Sequence, residues 1–182
     1  MKSEASTADR TSAAVNAQSD LRTVMRNFAT GVCIVTTFFD ASSGRRHNAI
    51  TANSLTSVSL DPPLVSLSIR GDSGFLADLM DSRVWATSIL DADAADLARI
   101  FAGPEQERRR ALGGLPTETG TQTGAQLLDG LAWMECRYRD HLVTGDHVMV
   151  IGDVVGLGVR GSGSPLIFVQ GGFHRMRTST GD

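Results

Sequence analysis

Seven short apolar runs constrain this chain more than any other feature: residues 32–39, 47–51, 64–69, 84–90, 131–141, 148–157 and 166–170, mostly joined by Gly, Asp, Pro or Ser clusters. Such runs are short for buried helices, and their β-branched and aromatic content suits pleated, half-buried strands. The clearest is Val32-Cys33-Ile34-Val35-Thr36-Thr37-Phe38-Phe39, which ends in the turn signal Asp40-Ala41-Ser42-Ser43-Gly44. Strands do not alternate regularly with helices, which argues against a doubly wound sheet and for a mainly antiparallel barrel or sandwich with peripheral helices. Three short helices fit around it. Asp20 caps one in which Leu21, Val24, Met25 and Phe28 share a face before Gly31. Phe75, Leu76 and Leu79 form the face of a second. Asp93 caps a third over residues 94–102, where Leu97, Ile100 and Phe101 point one way.

The chain has 182 residues, 41% of them hydrophobic, enough for one domain with a real core. That domain is expected over residues 20–177. Residues 1–19, rich in Ala, Ser and Thr without an apolar period, are expected to form a disordered tail, and 178–182 a short C-terminal one. A net charge of −3 offers no field for a polyanion, so a nucleic-acid partner is not expected. Lys2 is the single lysine, and the other cationic residues are arginines; an anion clamp must therefore use Arg, hydroxyls or backbone N–H groups. Cys33 and Cys136 lie in strand-like runs and read as buried free thiols, with a disulfide as the weaker alternative. No run reaches 18 apolar residues, and Met1-Lys2-Ser3-Glu4 does not lead into an apolar signal core. A soluble cytoplasmic protein without membrane association is expected, and no metal site.

Two segments carry competing readings. Residues 103–126 hold Pro104, Gly113, Gly114, Pro116, Gly120, Gly124 and the run Glu107-Arg108-Arg109-Arg110, with no sustained period. This predicts a long loop, either a functional lid or, as base rates favour, a solvated insertion. Gly156-Leu157-Gly158-Val159-Arg160-Gly161 matches a dinucleotide fingerprint after a strand, but Ser162-Gly163-Ser164-Pro165 follows where a helix must open. It reads as a glycine-rich hairpin turn.

The densest polar stretch is Thr51-Ala52-Asn53-Ser54-Leu55-Thr56-Ser57-Val58-Ser59-Leu60-Asp61-Pro62-Pro63, read as a loop between two strands. Its hydroxyls, amide and backbone N–H groups suit an acceptor-rich anionic or heteroaromatic ligand. Residue chemistry alone favours a self-bonded turn.

That stretch, with Phe28-Ala29-Thr30-Gly31-Val32 before it, resembles the flavin reductase family of FMN-binding split barrels. In order, Leu97–Gly103, Leu128–Cys136, Gly145-Asp146-His147 and Gly171-Gly172-Phe173-His174-Arg175 extend the resemblance over residues 21–175. It implies a six-stranded antiparallel split β-barrel with peripheral α-helices, a homodimer, and hydride transfer from NADH or NADPH to FAD or FMN. The reduced flavin would pass by diffusion to a partner monooxygenase. Asn53, Ser54 and Leu55 are implied along the flavin ring, with Thr51, Ser57 and Ser59 beside them. Arg70 and Ser73, in Arg70-Gly71-Asp72-Ser73-Gly74, are implied at the flavin phosphate, although Asp72 stands where relatives often carry a hydroxyl. Phe101 is implied in the flavin site. His147 is implied near the nicotinamide as a positioning group, and His174 and Arg175 as reaching the nicotinamide or its phosphate. His47 is not carried over, because the spacing to Thr51 is one residue too long. Other readings are a flavin carrier or accessory module without reductase activity, and an oxidase like the pyridoxamine-phosphate oxidase relatives.

Overall fold

The β-branched run at the start of the domain does pair into sheet, and on both of its edges. In the computed structural model, which describes residues 17–42 and 44–176, the elements run α1 (Ala17–Met25), β1 (Thr30–Gly31), β2 (Cys33–Ala41), β3 (Gly44–Ala52), β4 (Thr56–Leu60), β5 (Pro63–Arg70), α2 (Gly74–Ser82) and β6 (Val84–Ile89). There follow α3 (Ala95–Phe101), α4 (Glu105–Gly114), β7 (Glu118–Thr119), β8 (Gln126–Leu127), β9 (Ala132–Thr144), β10 (His147–Val159), β11 (Leu166–Val169) and β12 (Gly172–Arg175). The main sheet is antiparallel, with order β3-β2-β6-β9-β10-β5-β4; β1-β11-β12 and β7-β8 form two smaller sheets. Its seven strands correct the expected six. The added edge strand is β4, which pairs with β5 around a bulge at Ser57/Ser59. The polar stretch 51–63 is therefore mostly strand, since an edge strand tolerates hydroxyls on its open side, and the true loop shrinks to Asn53–Leu55.

Side chains from both ends of the strand order meet in one core. Ala52 of β3 and Val65, Leu67 and Ile69 of β5 pack with Phe75, Leu76 and Leu79 of α2, around Trp85, Cys136 and Val150. The sheet must curl into a barrel for this to happen, and α2 plugs it. A second layer lies outside β2, where Val32 and Ile34 meet Leu90, Ala98, Phe101, Leu112 and Leu166 under α3 and α4. Burial on both faces explains why β2 reads as a continuous apolar run rather than an alternating one.

Several expectations change at the helices. α1 begins at Ala17, so Asp20 lies inside it and is no cap; alanine and glutamine let the helix start before the apolar period does. The remaining expected tail residues, 1–16 and 178–182, lie outside the described residues. Phe28 sits in the turn past α1, and Leu21, Val24, Met25 and Phe28 are all exposed. Ala94, not Asp93, occupies the cap of α3; the Asp93 N–H donates to Asp91 Oδ1 at 2.9 Å.

The 103–126 segment is not a long loop. It forms α4 and, with Leu127, the β7–β8 hairpin, and its order rests on polar bonds that leave no hydrophobic period. The fully buried Glu135 carboxylate accepts the N–H of Gln122 at 3.0 Å and the N–H and hydroxyl of Thr123, each at 2.8 Å. Arg108 and Arg109 turn inward over β3, donating to Ala49 O at 2.7 Å and Asp78 Oδ2 at 2.8 Å.

The glycine motif is not a hairpin turn either. Gly156 and Gly158 lie within β10, opposite Glu135 and Trp133 of β9. A Cβ on Gly158 would stand 2.7 Å from Trp133 Nε1, so the missing side chain makes room for the indole. Gly152 does the same for Trp85, which is fully buried and would overlap an added Cβ. Gly152→Ala is expected to destabilise the protein by about 1–3 kcal/mol, the range for overpacking a filled core. Thermal unfolding should show a Tm lower by several degrees; an unchanged Tm would mean that Trp85 has room to yield.

Candidate functional site

Closure of the barrel leaves a cleft of about 650 Å³ at the seam between β3 and β5, within the usual range for small-molecule sites. Four distant segments line it: Ile50–Ser54 from the β3 end, Ser68–Arg70 and Asp72–Gly74 from β5 and the α2 start, Phe101, Ala102, Glu105 and Arg108 from α3 and α4, and His147 from β10. Of the residues singled out in the sequence, Thr51, Asn53, Ser54, Arg70, Ser73, Phe101 and His147 come together here.

Others lie elsewhere. Leu55 and Ser57 line a neighbouring groove with Phe28, Gly31, Cys33 and Ile89, which shares Asn53 with the cleft. Ser59 is half-buried on β4 and lines neither. His174 and Arg175 are exposed on β12, outside the cleft, and Arg175 pairs with Asp93. His47 lies on β3 outside the cleft, edge-on to Phe38.

The hydroxyls of the loop are largely self-bonded. Thr51 donates to Ala98 O at 2.6 Å, which ties β3 to α3 and leaves only its lone pairs for a ligand. The Asn53 amide donates to Thr30 Oγ1 at 3.2 Å. Ser54 Oγ donates to Ser68 O at 2.9 Å and accepts the Ser68 N–H at 3.2 Å. Because β4 pairs with β5 only as far as Thr56↔Ser66, the Ser54 hydroxyl replaces the strand partner that Ser68 would otherwise lack.

Two turns close one end of the cleft. Arg70 donates to Asp72 through two bonds, 3.0 and 2.6 Å, and this contact holds the Asp72 carboxyl below its ordinary value. Asp72 thus turns to Arg70 rather than standing free. The Gly71 N–H donates to Asp146 O at 2.9 Å, and His147 Nδ1 lies 2.8 Å from Asp146 Oδ1. Hydrogen bonding and charge from His147 lower the Asp146 carboxyl in turn. Ser73 is the residue before α2 and makes no side-chain bond to the helix, so its hydroxyl is available.

Sequence reasoning missed Arg108, Glu105 and Ser68. Arg108 donates to Ala49 O and Gly103 O, each at 2.7 Å, and burial pulls its guanidinium below the ordinary value. It remains a cation in the cleft wall, since Arg is not deprotonated in proteins. The signal for α4 was Glu105 and Arg109 at i, i+4 with Leu112 beyond, masked by the surrounding Gly and Pro.

A curled antiparallel sheet plugged by one helix, with a half-apolar, hydroxyl-lined cleft at its seam, defines a small ligand-binding barrel. The model of the flavin reductase like domain matches residues 25–177, and the chain belongs to that family. It is 32% identical over 166 residues to an NADH-dependent FMN reductase of Streptomyces nodosus subsp. asukaensis, covering 88% of this chain and 85% of that one. It is 36% identical over 142 residues to the reductase component of the flavin-dependent trigonelline monooxygenase of Acinetobacter baylyi, covering 78% of this chain but only 44% of that one. The solved NADH:FAD oxidoreductase of Streptomyces globisporus, in complex with NAD and FAD fragments, superposes with a TM-score of 0.80 at 30% identity, covering 91% of this chain and 96% of that one.

Ser54→Ala is expected to destabilise the protein by about 2 kcal/mol, for the two bonds lost, and to speed hydrogen exchange at the Ser68 amide specifically. Unchanged protection at Ser68 would show that the hydroxyl does not serve as its partner.

Proposed function

We propose that the cleft binds a flavin nucleotide and that the protein is an NAD(P)H:flavin oxidoreductase, moving a hydride from NADH, or NADPH, to FAD or FMN. The observation that carries this reading is the meeting of Thr51, Asn53, Ser54, Arg70, Ser73, Phe101 and His147 in one cleft, from segments far apart in sequence. The donor set fits such a ligand. Ile50, Ala52, Ile69 and Phe101 give an apolar wall, while Asn53, Ser68 and the lone pairs of Thr51 offer both donors and acceptors. Ser73 serves the phosphate at the start of α2, where an anion is favoured, and Arg70, paired with Asp72, lies beside it. When bound, the flavin supplies the hydride-accepting chemistry. The chain's own contribution is to exclude water, stack the rings and hold them close. His147, oriented by Asp146, positions the nicotinamide and transfers no proton. Leu55, Ser57 and Ser59 extend the site only through the adjoining groove and strand, and His174 and Arg175 are left out of it.

The names of the relatives support two further parts of the reading, NADH as donor and a separate monooxygenase as the partner; transfer of the reduced flavin by diffusion belongs to the proposal. An uncovered apolar face supports a homodimer. Leu21, Val24, Met25 and Phe28 are 64%, 65%, 50% and 64% exposed, a stripe that a second copy would cover. The two cysteines are free, as expected of a reducing cytoplasm, and no helix among the described residues is long and apolar enough to cross a membrane.

Purified protein should oxidise NADH, followed at 340 nm (the nicotinamide absorbance), only when FMN or FAD is added. His147→Ala should lower kcat/KM for NADH about tenfold, the loss of one positioning contact, with flavin affinity unchanged. Flavin binding without turnover for any donor would overturn the reductase reading in favour of a carrier. Light scattering should give twice the chain mass for the wild type and the single chain mass for Leu21→Glu/Val24→Glu; a monomeric wild type would remove the dimer.

A further inference from the structure

Glu105 has no role in the reading above, yet it lies in the cleft wall against Gly74. A Cβ on Gly74 would stand 2.5 Å from Glu105 Oε2 and 3.4 Å from its carboxyl carbon. Gly74 is not among the glycines at positive φ, and its missing side chain leaves the space that the tip of this carboxylate occupies. The carboxylate is held from behind. Its Oε1 accepts from Arg109 Nε at 2.8 Å, and Arg109 is itself fixed by Asp78 Oδ2 at 2.8 Å and is three-quarters buried.

Arg109 and the Arg108 cation offset its charge only in part, since Arg109 is shared with Asp78. Arg70 is committed to Asp72, and Arg108 to two backbone carbonyls. A phosphate at Ser73–Gly74 would meet Glu105 at contact distance, where like charges repel although the carboxylate is 44% exposed. A flavin without phosphate would leave the carboxylate where it is.

We propose that Glu105 is a specificity-determining residue: a carboxylate on the wall at the phosphate end of the cleft, which a flavin monophosphate must displace and riboflavin need not. The inference rests on the flavin reading above. The doubly charged terminal phosphate of FMN is disfavoured most, and the FAD diphosphate, with one charge on each phosphate, less. Glu105→Gln keeps the bond from Arg109 and removes the charge.

The test is flavin affinity by fluorescence quenching, with riboflavin, FMN and FAD, on the wild type, Glu105→Gln and Glu107→Gln. Glu107 lies on the same helix but does not line the cleft, so its variant controls for net charge. The expected result is an FMN affinity about tenfold tighter in Glu105→Gln, a smaller gain for FAD, riboflavin within about twofold, and no change in Glu107→Gln. Equal gains for riboflavin and FMN, equal effects of the two variants, or no effect of Glu105→Gln would each overturn the inference while leaving flavin binding intact. Wild-type protein that binds none of the three flavins would instead sink the flavin reading itself.

Discussion

The structure depends on closing the sheet over α2. In the order β3-β2-β6-β9-β10-β5-β4, five strand spacings separate β3 from β5, which in a flat sheet would hold them about 24 Å apart. Yet Ala52 and Val65 share one core with Phe75 and Leu79. Only a strongly curled sheet allows this, and the curl brings the β3 end beside the β5 end. The cleft is the seam so produced. Its polar residues are those left where strand pairing stops, which is why Ser54 completes the ladder for Ser68 and Thr51 reaches across to α3.

Curling in turn demands room on the inner and outer faces of β10, the strand next to β5. Gly152 admits Trp85, and Gly158 admits Trp133. Two register shifts along β9–β10, at Ile151/Gly152 and Val154/Gly156, fall among these same glycines, where a bulge adds bend and twist. The G-x-G-x-x-G spacing thus belongs to the bending of the barrel, and its likeness to a nucleotide fingerprint is a coincidence of glycines needed for packing.

Elements stabilised by apolar burial were legible in the sequence. β2, β5, β6, β9, β10 and β11, together with α2 and α3, fall where the apolar runs and helical faces predict them. Those held by polar bonds were not. β4 hides behind hydroxyls, α4 behind flanking Gly and Pro, and the 120–125 segment is anchored by Glu135, whose partners are two backbone N–H groups and the Thr123 hydroxyl, a set that no periodicity reports. The site divides in the same way: residues within the polar stretch could be named, whereas Arg108 and Glu105 come from a helix that periodicity had concealed. His174 and Arg175 lie on β12, outside the cleft of the single chain, a placement that their order along the chain does not report.

The electrostatic character of the cleft follows from how the arginines are matched. Arg70, Arg99, Arg109, Arg139, Arg160 and Arg175 each pair with a carboxylate, so the many cations produce little net field. Exposed pairs of this kind contribute up to about 1 kcal/mol each, and they also remove the donors from competition for a ligand. With Arg108 bonded to carbonyls and Glu105 facing the same space, a phosphate-bearing ligand would be held chiefly by apolar stacking and a few hydroxyls. Such a site binds without a strong anion clamp, which suits a reductase that must release its reduced flavin as readily as it takes the oxidised one.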